Sequence, residues 1–221
     1  MTRLALLFVL AMSAAAHAQG APPPPPPAPP PAGGPTAVAA GPGAGTFWIG
    51  GSFGFLPKGT FDTGTTGGES ISGDLATAYS LDAIAEYQLT SLIAVGVMPR
   101  YVMNVIASNA PSGSDSSAML DLRARVSVGV PVSPLIRVYG FGTVGYSIIY
   151  PPSNAMTTDN SSGLTVGGGA GAAYRLNPRL RAFGEIGYEV GFQSVSDNGM
   201  TTDAKAQFLE VNVGFQAAFG G

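Results

Sequence analysis

Alternation of apolar and polar residues, with no long apolar run to compete with it, is what most limits the fold open to this chain. Beyond residue 45 the sequence divides into eight segments, near 46–56, 77–89, 92–105, 118–130, 135–150, 163–176, 180–193 and 204–219. Four of them alternate cleanly at every second position, the period of a strand with two unlike faces. The last segment places Leu209, Val211, Val213, Phe215, Ala217 and Phe219 on one side and Glu210, Asn212, Gly214, Gln216 and Ala218 on the other. The segment at 118–130 sets Leu120, Leu122, Ala124, Val126, Val128 and Val130 against Asp121, Arg123, Arg125, Ser127 and Gly129. Those at 77–89 and 180–193 repeat the pattern. In 92–105 and 135–150 it is blurred, because Met98, Val102, Tyr139 and Phe141 fall on the polar side and Pro99 lacks a ladder donor.

Segment length sharpens the reading. Each reaches the roughly 9 to 11 residues that a tilted strand needs to cross a bilayer. The chain is 45% hydrophobic and its mean hydropathy is +0.26. After the leader, however, no apolar run approaches the ~20 residues of a membrane helix. A membrane crossing made by this chain is therefore made with strands. Lipid offers no hydrogen-bond partner, so such strands must close on themselves. The expected fold is all-β, an eight-stranded antiparallel up-and-down transmembrane β-barrel. Eight strands leave an interior just wide enough for side chains to fill it.

Connection lengths agree. Thr90-Ser91, Pro131 to Pro134 and Asn177-Pro178-Arg179 are short, whereas 57–76, 106–117, 151–162 and 194–203 are long and rich in Gly, Ser, Thr, Asn and Asp. Short turns at one end and long polar loops at the other mark the periplasmic and extracellular ends of an outer-membrane barrel. The outward aromatic pairs Phe47 with Phe55 and Tyr79 with Tyr87 stand at strand ends, where interfacial girdles form.

Two segments precede the barrel region, which spans 46–221. Residues 1–18 combine Arg3, an apolar stretch from Leu4 to Met12 and the small-residue site Ala16-His17-Ala18, the pattern of a cleaved export signal. Residues 19–45 hold nine prolines between Pro22 and Pro31, broken only by Ala28, followed by Ala, Gly and Pro. This composition predicts a disordered, extended polyproline spacer, with contact to peptidoglycan or another periplasmic component as its sharper reading.

The inward face predicts a polar lumen. Asp82, Glu86, Asp121, Glu185, Glu189 and Glu210 fall there with Arg100, Arg123, Arg125, Arg137, Arg175 and Arg181. Six acids and six arginines in a narrow space predict an ion-pair network, since a buried charge needs a partner. Glycines such as Gly50, Gly54, Gly96 and Gly214 share that face.

From residues 46 to 219 the chain resembles the small outer-membrane β-barrel family, OmpA-type transmembrane domains and OmpX-like proteins. The most specific element is the final strand, where Asn212, Gly214, Ala217 and Phe219 match the family's insertion signal. The resemblance implies that the barrel-assembly machinery reads this segment. Two glycines follow Phe219 here, whereas the family usually ends on the aromatic itself.

Several functions are disfavoured. There are 10 basic and 13 acidic residues and no basic patch, so nucleic acid is not an expected partner. Cysteine is absent and the single histidine lies in the leader, which removes Ser-His-acid and thiol chemistry. No cofactor, metal or catalytic residue is expected. Gly140, Gly142 and Gly145 fit a dinucleotide-binding string, but inside a strand. The expected role is non-enzymatic anchoring and loop display in the outer membrane, among lipids and lipopolysaccharide. A small pore and a secreted β-barrel for an apolar ligand are the alternatives.

Overall fold

The computed structural model describes residues 44–65, 70–111, 114–152, 160–197 and 200–219. The expected export signal and nearly all of the expected proline-rich spacer lie outside these residues. Nine strands follow in order: β1 Phe47–Thr65, β2 Ser70–Leu75, β3 Ala78–Gln88, β4 Ile93–Val105, β5 Ser117–Pro131, β6 Ile136–Tyr150, β7 Ser161–Asn177, β8 Leu180–Asp197 and β9 Met200–Phe219. All neighbouring pairs are antiparallel, and β1 pairs with β9, so the sheet closes into an eight-stave barrel. The ninth strand, β2, lies against the upper part of β1, while β3 takes the lower part.

Strand tilt can be read from the register. Stepping between paired residues from Ser52 passes through Asp82, Arg100, Asp121, Ser147, Gly163, Gln193 and Ala204, and returns to β1 at Thr63. Closure with such an offset requires inclined strands. A bulge between Phe55 and Lys58 falls on the closing seam.

Short turns are locked by their own side chains. The Thr90 hydroxyl accepts from the N–H groups of Leu92 and Ile93 at 3.2 and 3.0 Å. Ser133 does the same for Leu135 and Ile136 at 3.3 and 3.0 Å. At the third turn the Asn177 side-chain carbonyl accepts from Arg179 N–H at 2.8 Å. These side chains satisfy backbone donors that a two- to four-residue reversal would otherwise leave unpaired.

Two expected loops prove to be largely strand. Residues 57–65 continue β1 and 70–75 form β2, within the expected loop 57–76; β8 and β9 extend through most of 194–203. The reason is physical: above a membrane both faces of a sheet can be polar, so Thr60, Thr63 and Thr202 hold a ladder without apolar alternation. Pairing between β1 and β9 therefore runs on to Thr65 and Thr202. Phe61 opposes Gly73, its ring filling the space that a Cβ there would occupy.

Pro99 behaves as its chemistry requires. It pairs with Leu122 of β5, but toward β3 the ladder passes from Asp82–Arg100 to Ala85–Val97, skipping the residues between.

The distribution of polarity is that of a soluble protein turned inside out. Leu122, Val126, Val128, Ile186, Val213 and Phe215 are exposed on the outside, whereas Arg100, Arg123, Asp121 and Glu189 are almost completely buried. Apolar residues also line the interior. One cluster, Leu56, Ala78, Val102, Met119, Ala206 and Phe208, sits toward the loop end. A second, Ile84, Met98, Ala173 and Phe183 with Tyr139 against it, sits toward the short turns. The residues that blurred the alternation in β4 and β6 are thus interior packing residues.

Candidate functional site in the barrel interior

Alternation along β3, β4, β5, β8 and β9 directs the charged side chains inward, and the narrow lumen brings opposite walls into contact. Two ionic clusters result. In the first, Arg100 reaches Glu189 at 2.7 Å, Glu210 at 2.8 Å and Asp82 at 3.7 Å. Arg123 bridges Asp121 at 3.4 Å and also binds Glu189. Ser52 donates to Asp82 at 2.8 Å, and Thr165 donates to Asp121 at 3.0 Å. In the second cluster, nearer the short turns, Arg125 bridges Glu86 at 3.1 Å and Glu185 at 2.5 Å. Arg181 binds Glu86 at 2.7 Å and donates to Gln216 at 2.8 Å.

Aromatic groups complete the second cluster. Tyr139 donates its hydroxyl to Glu185 at 2.7 Å. The Arg125 guanidinium lies 4.2 Å from the centre of the Phe141 ring, and Arg181 lies 4.2 Å from that of Trp48. A cation over an aromatic face, away from bulk water, gains about 1–2 kcal/mol. Trp48 and Thr165 carry no charge and so stand outside the expected ionic network, although alternation places both of them inward.

All six inward acids enter these clusters, but only four of the six inward arginines do. Arg137 instead donates to the Gln88 side-chain carbonyl at 3.3 Å and to the Leu92 carbonyl at 2.7 Å. Arg175 is half-exposed beside the short turn after β7 and bridges no acid among the described residues. The expected six-to-six balance is corrected accordingly. The first cluster sets two guanidiniums against four carboxylates, and the second sets two against two. Arg137 and Arg175 both lie near the short-turn ends of their strands, where Arg137 is taken up by Gln88 and the Leu92 carbonyl.

The four residues expected to form an insertion signal occupy the lower half of β9. Asn212 is buried in the lumen and Phe219 is exposed beside Phe47. At Gly214 a Cβ would lie 2.3 Å from the Gly51 carbonyl oxygen and 2.6 Å from the Phe183 ring, so only glycine fits there. Ala217 pairs with Ile49 and Leu180, holding the end of the last strand to both neighbours.

A closed antiparallel sheet with an apolar exterior and an ion-paired interior is a transmembrane β-barrel. No protein-family model matches the chain, and no curated protein does. Among solved structures it is similar to the outer membrane protein OprG from Pseudomonas aeruginosa, with a TM-score of 0.61 and 14% identity over 82% of this chain and 99% of that one. It is also similar to Neisserial surface protein A (TM-score 0.52, 13% identity, 79% and 99% covered). The outer membrane protein AlkL, in lipid bilayers, gives 0.54 with 12% identity, covering 83% and 94%. The likeness is one of fold, the small eight-stranded barrel that these outer-membrane proteins share.

Proposed function

We propose that this chain is an exported outer-membrane protein whose barrel is a closed structural anchor that displays its loops at the cell surface. It performs no catalysis in this reading. The observation that carries it is the filled lumen: two ionic clusters cross the interior, with an apolar cluster built on Leu56, Val102, Met119 and Phe208 toward the loop end. A conducting pore calls for a continuous polar path, whereas buried ion pairs and packed methyl groups block one. The proline-rich arm serves as a spacer, and the final strand carries the signal read at insertion.

Planar-bilayer recording of the purified, folded barrel tests the closed-anchor reading. No stepwise conductance is expected, and reproducible single-channel steps would replace the anchor with a small pore. Gel migration of the outer-membrane fraction in SDS, with and without boiling, tests residence. A heat-dependent shift is expected, because a closed barrel resists SDS until heated. A water-soluble protein with no shift would favour the secreted alternative.

A further inference from the structure

The charges of the barrel are unequally divided between its ends. At the loop end the first ionic cluster holds four carboxylates for two guanidiniums, and Asp62, Asp74, Asp115 and Asp203 lie beyond it with Lys58 and Lys205. At the short-turn end the balance reverses. Glu86 and Glu185 are already bridged by Arg125 and Arg181. Arg137, Arg175 and Arg179 are additional cations, and none bridges an acid among the described residues. They are neighbours: Arg175 opposes Arg181 across the β7–β8 ladder, its N–H donates to the Leu135 carbonyl at 2.8 Å, and Arg179 forms the turn between those strands.

A region of net positive charge calls for an anionic partner. The chain supplies no further acid here. From Gln19 to Pro57 there is no charged residue, and the three short turns contain none that is negative.

We propose that Arg175 and Arg179, at the turn between β7 and β8, bind a phosphate group, that of an anionic phospholipid headgroup in the adjoining leaflet. The lipid source follows from what flanks that turn. Leu135, Ile136, Tyr174 and Leu176 are exposed on the outside of the same strand ends. The guanidiniums therefore stand at the lower margin of the apolar belt, at the depth of headgroup phosphates, which planar forked donors match in geometry. The proposal rests on the outer-membrane reading above.

Its test uses the full barrel purified in a mild non-ionic detergent, with native mass spectrometry reading retention of phosphatidylglycerol against phosphatidylcholine from an equimolar mixture. Wild type is expected to retain the anionic lipid selectively. The Arg175→Gln/Arg179→Gln variant should lose about fivefold in that selectivity per arginine removed. Lys58→Gln/Lys205→Gln removes equal charge from the other end and should lose none. Heat-shifted gel migration, unchanged in every variant, separates loss of the site from loss of the barrel. Equal selectivity in wild type and the arginine variant would overturn the proposal. So would equal loss in the lysine variant, which would make the effect one of net charge. Displacement of the lipid by millimolar glycerol phosphate, as readily as by added phosphatidylglycerol, would overturn the lipid source in favour of a soluble phosphate ester.

Discussion

Removing Arg100 should be far more damaging than removing an acid from the same cluster. Arg100 is fully buried and bridges three carboxylates, Glu189 at 2.7 Å, Glu210 at 2.8 Å and Asp82 at 3.7 Å. Arg100→Gln leaves four carboxylates facing Arg123 alone, and breaking a buried pair in this way costs about 3–5 kcal/mol. Asp121→Asn acts on a residue just as buried, but it removes a charge from the side in excess and relieves repulsion from Glu189. Asparagine can still accept the hydroxyl of Thr165, so its cost should be near that of one ordinary hydrogen bond, about 1 kcal/mol. Urea titration of barrels folded into lipid vesicles would measure both, read from the folded fraction on unheated gels and from the emission of Trp48. Trp48 is the only tryptophan and is 1% exposed beneath Arg181, so it reports on the interior directly. Equal losses in the two variants, or a larger loss in Asp121→Asn, would refute the view that the cluster is short of positive charge.

Glycines divide into two groups that alanine substitution should separate. At Gly50 and Gly96 a Cβ would stand 1.9 and 2.1 Å from a neighbouring carbonyl oxygen. Gly50→Ala and Gly96→Ala should each abolish or strongly reduce refolding yield by gel shift. At Gly140, facing out, the nearest atom would be 3.7 Å away, so Gly140→Ala should change stability by no more than about 0.5 kcal/mol. Leu122→Arg, placed on the outer face at 62% exposure, should destabilise the barrel by about 2–4 kcal/mol in vesicles and much less in detergent. Phe219→Ala should slow assembly into the outer membrane in cells with little change in the urea midpoint of barrel already folded, as pulse-chase and urea titration would report.

Much of this architecture was legible in the chain because a membrane barrel enforces its alternation. Leu120 to Val130 cannot shift by one residue without turning Arg123 and Arg125 into lipid, so the register of β5 is written in its sequence. The inward position of every acid in the two clusters followed from that rule alone. What alternation could not give was which residues meet across the lumen, since Arg100 and Glu189 are brought together by tilt and closure. Nor could it rank Arg137 and Arg175 apart from Arg125, because depth along the axis leaves no mark in a period of two. Strand pairing above the membrane was missed for the opposite reason. There the ladder is held by residues such as Thr63 and Thr202, whose side chains are polar on both faces.

The seam between β1 and β9 has a consequence in time. Its partners, Phe47 with Phe219 and Gly54 with Asn212, come from the first and last strands of the barrel. No ribosome-bound or partly exported chain can form that seam, so both strands present unpaired backbone until the final residues arrive. Pairings of such large sequence separation form slowly, and exposed apolar strand edges aggregate while they wait. The geometry that makes the finished barrel edgeless thus makes its precursor dependent on being kept apart from its own copies throughout transit.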